Sequence, residues 1–129
     1  PEDETWRDAW AVTEALMARA AESSRKMGAQ FVLATLSNPI QVTPNLAIRD
    51  AAAKELGVDD LLYPDQRLTT FGRSSGFEVI ALAERMAIQA ADSKERFHGR
   101  KSFSGGHWNE SGHQIAGEIL ARELCDILR

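Results

Sequence analysis

Cysteine is nearly absent: Cys125 is the single one in 129 residues, so no disulfide forms within the chain. It falls on a helical pattern beside Leu124 and Leu128 and is read there as a small buried hydrophobe. Long apolar runs are missing too, and none would span a bilayer. No basic start followed by an apolar stretch marks a signal peptide. An excess of positive charge is also lacking. Lys and Arg total 15 against 19 Asp and Glu, for a formal net charge of -4. Binding a phosphate backbone needs clustered Lys and Arg, whereas here they are scattered. Neither nucleic acid nor a membrane span is therefore expected. An initiator Met is absent, and the opening on Pro1 leads us to expect further sequence upstream.

What the chain does have is periodicity. From about Thr5 to Lys26 apolar residues recur at helical spacing through Trp6, Trp10, Leu16 and Met17. Acids crowd its start, Arg25 and Lys26 stand at its end, and Gly28 follows as a stop. A helix is expected, with Trp6 and Trp10 packed inward. Phe31 to Leu36 is an apolar run without alternation, which suits a parallel strand covered on both faces. Thr43-Pro44 is expected to open a helix closed by Gly57. A further helical stretch runs from Pro64 to Gly76, a second strand from Phe77 to Leu82, and a helix from Glu84 to Arg96. Residues 97–106, rich in Gly, Ser and basic side chains, read as a loop. The last helix runs from about Asn109 to Leu128, and no internal repeat is visible.

Strands alternating with helices imply an α/β domain with a parallel sheet. Two strands are few, since sheets usually hold about four to six. An uncovered apolar strand edge is also an aggregation hazard. Missing sequence or a partner chain is therefore expected to supply strands and cover the edge.

The candidate chemistry lies just before the last helix. His107 stands two residues ahead of Asn109, a good helix N-cap. It is placed at the rim of the layered domain, where open α/β sheets carry their reactive crevice. A neutral imidazole there serves as a general base near pH 7. The positive end of the following helix disfavours the charged ring and helps to keep it neutral. Gly105 and Gly106 allow the preceding backbone an unusual path.

The run His107-Trp108-Asn109-Glu110-Ser111-Gly112-His113 resembles the last motif of the SGNH (GDSL-type) hydrolases. In that family of esterases and lipase-like enzymes a catalytic His is followed by a small or aromatic residue, Asn, two variable residues, Gly and His. An amphipathic C-terminal helix comes next. The long first helix, both strands, Leu62-Tyr63-Pro64-Asp65 and His98-Gly99 are also similar to the second half of that fold. The resemblance implies a flavodoxin-like three-layer sandwich, with residues 1–129 forming its C-terminal part. It implies hydrolysis of a small-molecule ester, carboxylic or acetyl, by Ser-His acyl transfer without a cofactor. His107 would be the catalytic base, and Trp108 and Asn109 would contact substrate.

Two departures qualify what this chain does alone. Ser104 stands where the family has the Asp that orients the His, three residues before it. Glu110, Asp92 or a backbone carbonyl are the substitutes considered. The Gly-Asp-Ser nucleophile motif and the Gly and Asn of the oxyanion hole are also absent. Ser37, Ser74, Ser75, Ser102 and Ser104 lack that context and are not taken as nucleophiles. A base without nucleophile or oxyanion donors has little activity, so the chain alone is expected to be inactive. The alternative is a non-catalytic carbohydrate- or partner-binding module on a degenerate scaffold of this kind. A metal reading of His107, Glu110 and His113 fails on spacing, because ligands three apart spread around a helix. His98 is read as loop structure and His113 as a packing residue.

Overall fold

The computed structural model describes residues 3–100 and 103–129 as a mixed α/β fold, mostly helical. The first helix, α1 (Glu4–Lys26), starts where the Asp3 carboxylate accepts from the Trp6 amide at 3.2 Å. It ends as Gly28 turns into the left-handed region at φ 73°. Its inward stripe is sparser than the periodicity suggests. Only Ala21 is buried along it, while Trp6 is 63% exposed and Leu16 64%. Trp10 is held, under the Arg67 guanidinium and edge-on to Tyr63. Arg67 also donates to Glu14 at 2.6 Å, fastening α1 to the helix that carries it.

Strand β1 (Val32–Thr35) pairs in parallel with β2 (Glu78–Ala81), Leu33 opposite Val79 and Ala34 opposite Ile80. Between them lie α2 (Pro39–Val42), α3 (Leu46–Leu56) and α4 (Tyr63–Ser75). Helix α2 was not expected from the sequence. Its start is fixed by Asn38, whose side chain accepts from the Ile40 amide, while Gln41 reaches back to the Asn38 amide at 2.7 Å. Thr43-Pro44 does not open α3. Asn45 does, accepting from the Ala47 amide at 3.1 Å.

Helix α5 (Leu82–Ser93) follows β2 without a break. It stops before the expected Arg96 because Lys94 turns left-handed at φ 60°. The expected loop at 97–106 is instead strand β3 (His98–Arg100) paired antiparallel with β4 (Phe103–Trp108). Helix α6 (Glu110–Ile127) closes the chain. Cys125 on α6 is exposed, not buried as its spacing suggested, because the helix turns that face to solvent.

Val79 and Ile80 are neighbours on β2 and so point to opposite faces. A Cβ on Gly72 of α4 would collide with Val79, which places α4 on the first face. Ile80 packs on the second face with Leu82, Met86, Phe97 and Ile119 in the buried core built from α2, α5, α6 and the turn before β3. Among the described residues the parallel sheet has two strands, and β1 has a partner on one side only.

Candidate functional site

The carboxyl end of β1 leads through Leu36 and Ser37 into the capping residue of α2. Ser37 is where three distant segments meet. Its hydroxyl accepts from the Trp108 indole Nε1 at 2.8 Å and lies 3.3 Å from the Met86 sulfur. Its carbonyl oxygen lies 3.1 Å from His98 Nε2. A carbonyl only accepts, so Nε2 carries the proton of that bond and Nδ1 is the bare nitrogen of a neutral ring. His98 is 5% exposed, and Nδ1 finds no partner among the described residues. Burial pushes the His98 pKa below its ordinary value, against the smaller opposing pull of the Ser37 carbonyl.

His98 and Trp108 face each other across the hairpin, with ring centroids 6.5 Å apart. Trp108 meets His113 of α6 edge-on at 5.5 Å. His113 thus packs, as expected, but His98 is a buried strand residue and not loop structure. Its signal was lost because the partners it needs are far away in sequence.

Asn109 caps α6 by accepting from the Gly112 amide at 2.8 Å. The same side chain donates to the Arg96 carbonyl at 2.6 Å, and the Asn109 backbone N–H donates to the Phe97 carbonyl at 3.0 Å. Asn109 therefore straps the end of β4 to the start of β3. Gly112 is required by the same contact: a Cβ there would collide with the Phe97 carbonyl oxygen. The spacing of Asn and Gly in the motif is thus explained by backbone packing.

His107 lies between the anchored Trp108 and Gly106, whose φ of 92° suits glycine. It is exposed and sits in β4, not in a free loop. Among the described residues no side chain hydrogen-bonds to its ring, and neither Glu110 nor Asp92 does so. The side chain of Ser104 and the whole of Ser102 lie outside the described residues. Of the three expected site residues, His107 alone has no side-chain hydrogen bond among the described residues; the Trp108 and Asn109 polar groups are spent on the protein itself.

Ser37 and His98 approach to 3.5 Å, a pair that invites comparison with a nucleophile and its base. The geometry argues otherwise. His98 Nε2 is committed to the Ser37 carbonyl, and the hydroxyl is held by the indole. Together they form a clamp that fixes the hairpin to β1. No group of three or more His, Cys, Asp or Glu among the described residues is arranged to hold a metal ion. Nor is any helix among them long and apolar enough to cross a membrane. Compared with protein-family models, with curated proteins and with solved structures, the chain matches none.

Proposed function

We propose that this chain supplies the general-base histidine of an ester hydrolase that works by Ser-His acyl transfer. The observation that carries the reading is His107 itself. It stands exposed on a strand whose next residue is locked by an indole hydrogen bond and whose following helix is capped by Asn109. Such a mounting gives a base a fixed position, which acid–base catalysis needs before any pKa matters. In the reaction, a serine oxygen attacks the ester carbonyl while His107 takes the serine proton. The proton then passes to the leaving alcohol, and water releases the carboxylic acid from the acyl-enzyme by the same relay.

The serine and the oxyanion donors come from polypeptide outside this chain, either the N-terminal remainder of the same domain or a partner. They would join the sheet at the unpaired side of β1 and extend it toward a flavodoxin-like three-layer sandwich. Trp108, half-buried next to His107, would border the ester with its ring, and Asn109 would act mainly by holding the turn into α6. The absence of a hydrogen-bonded orienter for His107, among the described residues, favours one rival reading: a binding module that has lost its chemistry.

Hydrolysis of p-nitrophenyl acetate by the complete polypeptide separates the two. The enzyme reading expects turnover that falls by roughly 10²–10⁴-fold in His107→Ala, with labelling of a serine by a fluorophosphonate. Neither turnover nor labelling would leave the binding module standing.

A further inference from the structure

A cleft of about 440 Å³ opens between α2, the start of α3 and the turn from α5 into β3. That volume falls within the range of small-molecule sites. Pro39, Ile40, Pro44 and Ile48 form apolar walls, and the buried Val42 and Phe97 close the floor. Among the described residues the charged ones lining it are Lys94 and Arg96, with no Asp or Glu. In a chain of net charge -4 this is a local reversal of sign.

The reversal has a structural origin. The left-handed turn at Lys94 brings Lys94 and Arg96 to the rim, while Glu95 between them turns to accept from the Ser111 hydroxyl. Neither cation enters an ion pair among the described residues. Asn38 and Asn45 spend their side-chain oxygens on helix caps, so the ends they have left to offer are amide donors. The rim is thus rich in donors and positive charge, and the walls are apolar.

We propose that this cleft binds an aliphatic carboxylate, its chain along Ile40, Pro44 and Ile48 and its head between Lys94 and Arg96. An alcohol of equal length would fill the walls and leave both cations unmatched. A bare anion would match the cations and leave the walls wet. The site does not rest on the hydrolytic reading, although a carboxylate is what ester hydrolysis releases.

The test titrates the ¹⁵N-labelled chain with sodium octanoate, 1-octanol and inorganic phosphate, following amide shifts. Octanoate is expected to give saturable shifts at residues lining the cleft, with the other two probes at least about tenfold weaker. The double variant Lys94→Asn and Arg96→Gln, in which Asn tolerates the left-handed backbone, should weaken octanoate by about tenfold or more. Ile48→Asp, at a position 49% exposed and hence safe for folding, should abolish it by repulsion. Circular dichroism confirms that each variant is folded. Absence of octanoate binding, equal binding of octanol or phosphate, undiminished binding in the folded double variant, or shifts confined to another face each overturns the site. Because no turnover is measured, failure here is distinct from failure of the hydrolase reading.

Discussion

Gly112 and Gly117 lie on the same helix, one turn and a little more apart, and they respond to a methyl group in opposite ways. A Cβ at Gly112 would collide with the Phe97 carbonyl oxygen, a backbone atom that cannot swing away. A Cβ at Gly117 meets nothing within 4 Å. Gly112→Ala should therefore cost about 1–3 kcal/mol, as overpacking against a rigid neighbour does. Gly117→Ala should be neutral or stabilise by up to about 1 kcal/mol, the helix-propensity difference. Urea unfolding of the two variants checks the contrast, and equal effects would mean that α6 is not seated on the hairpin as described. His98 offers a second test at this scale, with a definite sign. Its folded pKa is lowered from 6.5, so the unfolded chain binds the proton more readily. The stability it contributes is fully present above that ordinary value and is lost as pH falls toward the folded pKa. The urea midpoint should fall as pH drops below the ordinary histidine value of 6.5, and His98→Gln should flatten that slope. Carboxylates ordinarily titrate at lower pH, so the comparison with the variant is the decisive part. The site was legible only in part for a related reason. His107, the Asn109 cap and Gly112 sit in one short run, whereas His98 and Ser37 are 61 residues apart and nothing local links them.

At the scale of elements, what the periodicity could see was what propensity and burial set together. The long helices α1, α4 and α6 and both parallel strands lie within a few residues of their expected bounds. Helix α2 was missed although its Asn38-Pro39-Ile40-Gln41 run spells a capping box with proline at the first position. It is too short to show a period. The β3–β4 hairpin was missed because its Gly and Ser residues have low strand propensity, and its pairing is irregular besides. What holds it in place is tertiary, chiefly the bond from the Trp108 indole to Ser37. A double-mutant cycle measures that attachment. Ser37→Ala leaves a half-buried indole N–H without its partner and should cost about 1–3 kcal/mol. Trp108→Phe removes the donor along with packing, and its further cost in the Ser37→Ala background should be smaller than alone. A coupling of about 0.5–1.5 kcal/mol is expected from the urea unfolding of the four proteins. Strict additivity would show that the hairpin is held by packing alone.

The molecule as a whole keeps more apolar surface uncovered than its core requires. On α1, Trp6, Val12 and Leu16 are each at least 60% exposed, and Leu36 beyond β1 is 73% exposed. A groove of about 500 Å³ runs along β1, lined by Leu33, Ala34 and Leu36 from the strand side, by Met17 and Leu68 from the helices, and by Leu61 from the turn before α4. Parallel sheets are ordinarily covered on both faces and continued at their edges, because an open edge presents unpaired amides and carbonyls to any passing strand. Here β1 has no proline, no charged residue and no bulge to discourage such pairing. The chain by itself should therefore self-associate with rising concentration, which sedimentation velocity would follow. Replacing Leu16 and Leu36 together by Lys should shift it toward monomer. Both positions are exposed, so the fold should lose no more than about 0.5 kcal/mol at each. That separates the two causes of a change in mass: a variant that unfolds would also lose its urea midpoint, whereas one that merely loses a docking surface would not. If the unaltered chain stays monomeric at every concentration, the open side of β1 is tolerated as it is, and the need for further strands there disappears with it.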